Sequence, residues 1–166
     1  MLNEYTASLS KTLKPRTVIF LVKQNLVLLG YKKSGFGKGN YVGIGGKVES
    51  NETIEEAATR ELKEEINVDV PISDLNKVAI LKFYFPHIID ESWNQEVYAF
   101  LVTRWDGKPT ETDEVKPVWF QKDKLPLSKM WDDAQYWIPR ILKGEEVSDQ
   151  YLFDKDLKVI EQQKFV

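Results

Sequence analysis

The segment from Gly46 to Val68, GKVESNETIEEAATRELKEEINV, constrains this chain more than any other. It sets Glu55, Glu56, Arg60, Glu61, Glu64 and Glu65 on one expected helix beside a glycine-rich turn. Thr53 followed three residues later by Glu56 is a capping box, and Asn67 suits the left-handed turn that ends a helix, so the spacing predicts a helix over residues 54 to 66. On a wheel of about 100° per residue, Ile54, Ala57, Ala58, Leu62 and Ile66 form one apolar arc. Glu61 and Glu65 project into that arc and Glu64 lies at its edge, whereas a solvated row of charge would face the other way. Carboxylates gathered on a packed side repel one another and lose hydration, a cost that a hard cation or an ordered cationic network offsets. Oxygen-only donors select Mg²⁺ or Mn²⁺; Mg²⁺ takes one or two protein carboxylates together with phosphate oxygens and waters, which suits an incomplete cage finished by a polyphosphate. Zinc is a poor fit, because the chain has no cysteine and a single histidine.

Gly46, Glu52, Arg60, Glu61, Leu62, Glu64 and Glu65 stand at the spacing of the Nudix box, and on these positions the chain resembles the Nudix hydrolases. One position departs. Asn67 replaces the family's penultimate glycine, and asparagine is the side chain best able to adopt the same left-handed conformation.

The rest of the chain bounds the class. At 166 residues, with 42% hydrophobic and 12% aromatic content, it can bury one core, and the expected organisation is an N-terminal arm over 1–15 and a single domain over 16–166. A net charge of −3 disfavours a nucleic-acid polymer as ligand, since phosphate backbones are met by basic faces. No apolar run approaches the roughly 20 residues of a membrane span, and the polar start MLNEYTASLSKTLKP does not read as a targeting peptide. A cytoplasmic monomer is the default expectation, with a small-molecule nucleotide as partner.

Thr17–Val22 and Leu26–Leu29 read as a hairpin, Val78–Phe85 and Gln95–Val102 as paired strands around a loop holding His87 and Trp93, and Val118–Gln121 as a further strand. His87, alone among side chains that ligate soft metals, reads as a surface residue. Met130–Leu142 reads as an aromatic-rich helix that Pro139 bends or ends, and Tyr151–Phe153 with Leu157–Ile160 as a last hairpin. The glycine-rich strip from Gly35 to Gly46 carries Lys32, Lys33, Lys38 and Lys47 near exposed backbone N–H groups that suit phosphates. It is not a P-loop, because Gly46-Lys47 is followed by Val48 rather than by serine or threonine.

The resemblance extends through GFGKG, GGKV and the MW…YW segment to the MutT-like branch of the family, which hydrolyses oxidised purine nucleoside triphosphates. It implies an α/β/α sandwich around a mixed sheet and Mg²⁺-dependent attack of water to give a nucleoside monophosphate and pyrophosphate. It also implies roles. Glu61, Glu64, Glu65, Glu114 and Gly46 match metal-site positions, Arg60 orients the carboxylates, and Lys32, Gly46 and Lys47 lie where phosphates are met. Trp131, Phe36 and Phe83 match aromatic walls of a base pocket. Two departures fall in that pocket: Val42 replaces an asparagine, and the paired aspartates become Asp133 and Ala134, with the doublet displaced to Asp132-Asp133. The expected activity is thus purine nucleoside triphosphate pyrophosphohydrolysis. Another nucleoside diphosphate derivative, or a nucleotide-binding module without turnover, stands as the alternative.

Overall fold

Residues 1–165 are described by a computed structural model. Its organising strand is β1 (Lys14–Lys23), whose run from Ile19 to Val22 is buried on both faces. Side chains alternate along a strand, so Ile19 and Leu21 enter one core while Phe20 and Val22 enter another. Gln24, at φ 56°, makes the turn into β2 (Leu26–Lys32). One edge of β2 pairs with β6 (Val115–Gln121); the other meets β1 at Leu26 and Val27 and the short β3 (Tyr41–Val42) at Gly30 and Tyr31. Along its first eight residues β1 runs parallel to β5 (Gln95–Val102). The sheet continues through antiparallel β4 (Asn76–Tyr84), parallel β7 (Val147–Phe153) and the hairpin partner β8 (Val159–Lys164).

A mixed sheet with both faces apolar needs a helix on each. Helix α2 (Ile54–Ile66) covers the Ile19 face with Ala58, Leu62 and Ile66, and α3 (Ala134–Leu142) covers the Phe20 face with Trp137, Ile138 and Ile141. The result is the expected α/β/α sandwich. The box helix spans the expected residues: Glu56 N–H donates to Thr53 Oγ1 at 3.1 Å, Thr53 N–H donates to Glu56 at 3.2 Å, and Asn67 closes it at φ 59°, ψ 41°. The expected strands are present and mostly longer at their ends.

Two expectations are corrected. Met130–Asp133 precede the helix rather than opening it, and Pro139 lies within α3 without ending it, because buried Ile138 and Ile141 hold the turn on either side of it. Residues 1–15 are not a loose arm. Leu2–Ser8 form α1, Lys14 and Pro15 belong to β1, and Leu2 is completely buried with Tyr84 and Leu152. Tyr84 and Leu152 alternate with Phe83 and Phe153 of the α3-side core, so α1 covers part of the opposite, α2-side face. Leu2 N–H donates to Glu161 at 2.9 Å. Asn94 Nδ2 donates to the Tyr5 hydroxyl at 3.0 Å, and its Oδ1 accepts from Phe85 N–H at 2.8 Å. Leu2, Tyr5 and Leu9 stand at helical spacing, but so short a polar segment does not hold a helix alone; the distant partners make it worth forming. Leu2→Ala should therefore lower unfolding free energy by about 2–4 kcal/mol in a denaturant titration. A change below about 0.5 kcal/mol would mean that the helix does not dock.

Candidate active site

The glycine strip is laid along the free edge of β1. Thr17 N–H donates to the Gly46 carbonyl at 2.9 Å, Ile44 N–H to the Ile19 carbonyl at 3.0 Å, and Val48 N–H to the Pro15 carbonyl at 3.4 Å. The approach is close enough to require glycine: a Cβ on Gly45 would stand 2.0 Å from the Thr17 carbonyl oxygen, and one on Gly46 would stand 2.6 Å from Glu61 Oε1. The turn and the helix are thereby pressed together, and Arg60 joins them. Its Nε and Nη2 form a fork on Glu52 at 2.9 and 2.6 Å, Nη2 also donates to the Lys47 carbonyl at 3.0 Å, and Nη1 reaches Glu61 and Glu64 at 3.1 Å each. Arg60 thus ties Glu61 and Glu64 to Glu52 and to the glycine turn. The paired carboxylates raise the ionisation of Arg60 above its ordinary value, chiefly through Glu52, so it is a fixed cation.

The helix wheel is reproduced in burial. Glu65 is 5% exposed and the Glu61 side chain 12%, while Glu64 stands 58% exposed at the rim. Burial pushes both inner acids upward. Glu65 reaches about 8, first through desolvation and then through the charge of Glu61, against which Lys32 acts in the opposite direction. Glu61 is raised by desolvation, opposed mainly by Arg60, and hydrogen-bonds to Glu65. Glu114, exposed on the loop before β6, adds a further negative charge felt by Glu65. Among the described residues, no three His, Cys, Asp or Glu side chains stand together as a preformed cation cage. What stands there is a buried pair of acids, Glu65 and Glu61, with Glu64 and Glu114 exposed at the rim. The fit to Mg²⁺ or Mn²⁺ is chemical: oxygen donors only, and a buried pair whose charge repulsion a divalent cation would relieve.

Arg16, Lys32, Gly46, Lys47, Arg60, Glu61, Glu64, Glu65 and Glu114 line one cleft. It opens into an apolar pocket formed by Phe20, Tyr41, Phe83, Phe85, Met130, Trp137, Ile138 and Phe153, and Val18, Phe36, Val42, Gly43, Gln95, Val97 and Trp131 line both. Phe36 and Trp131 are stacked with ring centres 5.1 Å apart and planes 19° from parallel, and Trp93 meets Phe36 edge-on at 4.7 Å. Phe83 sits deeper, stacked on Tyr151 at 5.7 Å. Asp133 lies in the pocket with Oδ2 accepting from Trp137 Nε1 at 2.8 Å, and burial pushes its acid up to about 6. Asp132, expected at the base, lies outside both cavities. Its carboxylate accepts from Val159 N–H at 2.8 Å and Gln135 Nε2 at 3.1 Å, tying the start of α3 to β8. The displaced doublet thus puts one carboxyl in the pocket, not two. Gln95, Arg16 and Thr17 belong to the cleft without having been expected there. Arginine and threonine interrupting the polar-to-apolar start of a buried strand were the available signal for the last two. Gln95 offered none.

The Glu65 shift has a stability consequence. Between the ordinary carboxylate range and about 8, the folded protein keeps a proton that the unfolded chain releases, so metal-free stability falls as pH rises through that window. Glu65→Gln removes the acid while keeping its shape. It should raise the metal-free unfolding temperature at pH 8 by about 4 °C or more and leave it nearly unchanged at pH 5, as followed by circular dichroism. Equal shifts at both pH values would refute a buried, proton-holding Glu65.

The arrangement has relatives. Residues 12–141 match the model of the NUDIX domain. The chain is 40% identical over 150 residues to the oxidized purine nucleoside triphosphate hydrolase of Danio rerio, covering 90% of this chain and 93% of that one. It is 39% identical over 144 residues to the Mus musculus protein of the same name, covering 84% and 87%. A crystal structure of a mutator MutT protein from Bacillus halodurans superposes with a TM-score of 0.74 over 91% of this chain and 97% of that one, at 22% identity, a likeness of fold. With its glycine turn, Arg60 and glutamates in the family's order on the family's fold, this chain belongs to the Nudix hydrolases.

Proposed function

We propose that this protein hydrolyses purine nucleoside triphosphates, those with an oxidised base in particular, to the nucleoside monophosphate and pyrophosphate. The observation that carries this reading is the continuity of the cleft: an aromatic, largely apolar pocket runs without a break into a cluster of lysines, arginines and carboxylates. A nucleotide has that polarity along its length. Phe36 and Trp131 provide flat faces for a purine, and such stacking contributes roughly 1–3 kcal/mol per base. Lys32 and Lys47 neutralise phosphate oxygens, and the Gly45–Gly46 turn admits them closely for want of side chains. Water adds to phosphorus as the anhydride P–O bond breaks, its proton passing to a base and the electron pair leaving with pyrophosphate.

Glu61, Glu64, Glu65 and Glu114 would hold Mg²⁺, or Mn²⁺ in its place, which when bound supplies Lewis acidity toward phosphoryl oxygens and acidifies water. Arg60 keeps Glu61 and Glu64 aimed at one place. In the metal-free protein desolvation and Glu61 keep Glu65 in its acid form near neutral pH, and a bound divalent cation would favour its carboxylate. No helix among the described residues is long and apolar enough to cross a membrane, and action on free nucleotides in the cytoplasm as a monomer completes the reading.

A panel of 8-oxo-dGTP, 2-hydroxy-dATP, dGTP, dATP, a nucleoside diphosphate sugar and a dinucleoside polyphosphate, scored for pyrophosphate release with Mg²⁺, tests the proposal. Cleavage of the sugar nucleotide alone would refute it. Glu65→Gln should slow purine triphosphate turnover on the order of a hundredfold or more. Base preference should be malleable where Val42 leaves an apolar wall: Val42→Asn adds a donor and an acceptor, and should change the ratio of kcat/KM for guanine-type over adenine-type substrates about tenfold.

A further inference from the structure

Two arginines line the catalytic cleft, and their surroundings are opposite. The Arg60 guanidinium is taken up by Glu52, Glu61, Glu64 and the Lys47 carbonyl. The half-buried Arg16 side chain makes no hydrogen bond or ion pair among the described residues, and its Nε is buried without an acceptor. A guanidinium carries five N–H donors in a rigid fork, and leaving them unclaimed away from water is costly. Glu61 is close enough to act on Arg16 by its charge, but that carboxylate is already engaged by Arg60 and Glu65. Desolvation outweighs it and works against the cation.

The position of Arg16 says what would claim those donors. It lies in β1 opposite Val97 of β5, with Lys47 bridged to its other side. Strand alternation puts it on the sheet face of Val18 and Phe20, which are walls of the aromatic pocket. It therefore continues the line of the base pocket outward, toward Lys32 and the carboxylates. A nucleotide with its purine between those walls and its reacting anhydride at the glutamates would lay its phosphates across this point. The fork matches two non-bridging phosphate oxygens, as a lysine would not.

We propose that Arg16 is a phosphate-binding residue of this cleft, clamping the substrate's polyphosphate chain between the base pocket and the carboxylates. The Nudix box does not contain it, and the assignment rests on the purine triphosphate reading for its substrate though not for its ligand class. Three readouts test it on Arg16→Met and Arg16→Lys: binding of inorganic pyrophosphate with Mg²⁺ by calorimetry, KM and kcat for a purine triphosphate, and the unfolding temperature of the free protein. In Arg16→Met, pyrophosphate affinity should fall and KM rise about tenfold or more, the scale of a lost charge-assisted hydrogen bond, while the unfolding temperature stays or rises because the side chain gives up no protein partner and its unpaired Nε has gone. Arg16→Lys should lie between it and the parent. Pyrophosphate affinity and KM within twofold of the parent in Arg16→Met overturn the proposal. So does a lowered unfolding temperature in Arg16→Met with Arg16→Lys losing as much affinity, which assigns a structural role. A parent protein that leaves purine triphosphates intact yet binds pyrophosphate through Arg16 sinks the substrate reading and keeps the phosphate site.

Discussion

The fork of Arg60 on Glu52 is the contact on which the rest of the site depends. Glu52 belongs to the loop before α2, Arg60 to the middle of the helix, and the Lys47 carbonyl to the glycine turn, so one guanidinium fixes three segments in a single geometry. Its last donors then set Glu61 and Glu64. Because both Glu52 oxygens are engaged and the pair is largely shielded from solvent, the geometry is far more restrictive than that of an exposed ion pair. The glycine contacts act in the same sense from the other side: with the Gly46 Cα held against Glu61, the turn cannot drift away from the helix without losing packing.

What Arg60 organises is not itself stabilising. Glu61 and Glu65 are desolvated acids that share a hydrogen bond because they cannot both be ionised cheaply, and Arg16 is a desolvated base with nothing to pair with. Glu61 is close enough to act on Arg16 by its charge, yet no hydrogen bond or ion pair joins the two side chains among the described residues. The surrounding sandwich holds the charges apart, with Ala57, Ala58, Leu62 and Ile66 of the same helix fully buried. Unfavourable local electrostatics maintained by a well-packed scaffold are characteristic of sites organised for a ligand.

How much of this was legible in the chain follows from the range of the interactions. The box helix was read to the residue because its start, its stop and the faces of its glutamates are set by neighbours three or four positions apart. The central strands were likewise evident from local patterning, and the residues of the Nudix box from a spacing that the family shares. Docking of α1 was not legible, since Leu2 meets Tyr84 and Leu152, and Tyr5 meets Asn94, across the whole length of the chain. Asp132 was misplaced for a related reason. Which of two adjacent aspartates faces the pocket depends on where α3 begins, and it begins at Ala134 because Asp132 is held by the backbone of β8.

Base recognition is where the local and the long-range combine. Without the amide at position 42 and the acid at position 134, the pocket keeps one carboxyl, Asp133, and one amide, Gln95, among its described lining residues. Asp133 is partly spent on Trp137, and burial leaves it near the boundary between donor and acceptor at neutral pH. Gln95 donates to the Trp93 carbonyl at 3.2 Å, and its strand position is set by pairing with Lys14 on one side and Phe83 on the other. Because Asn94 anchors that strand end to both Phe85 and Tyr5, the N-terminal helix braces the segment that carries Trp93 and Gln95. The aromatic wall and the amide of the pocket therefore depend on residues that no motif contains, whereas at the other end Glu61, Glu64 and Glu65 come from one helix and Glu114 from the loop before β6. The carboxylate end and the aromatic end of the cleft are thus built largely from separate parts of this chain.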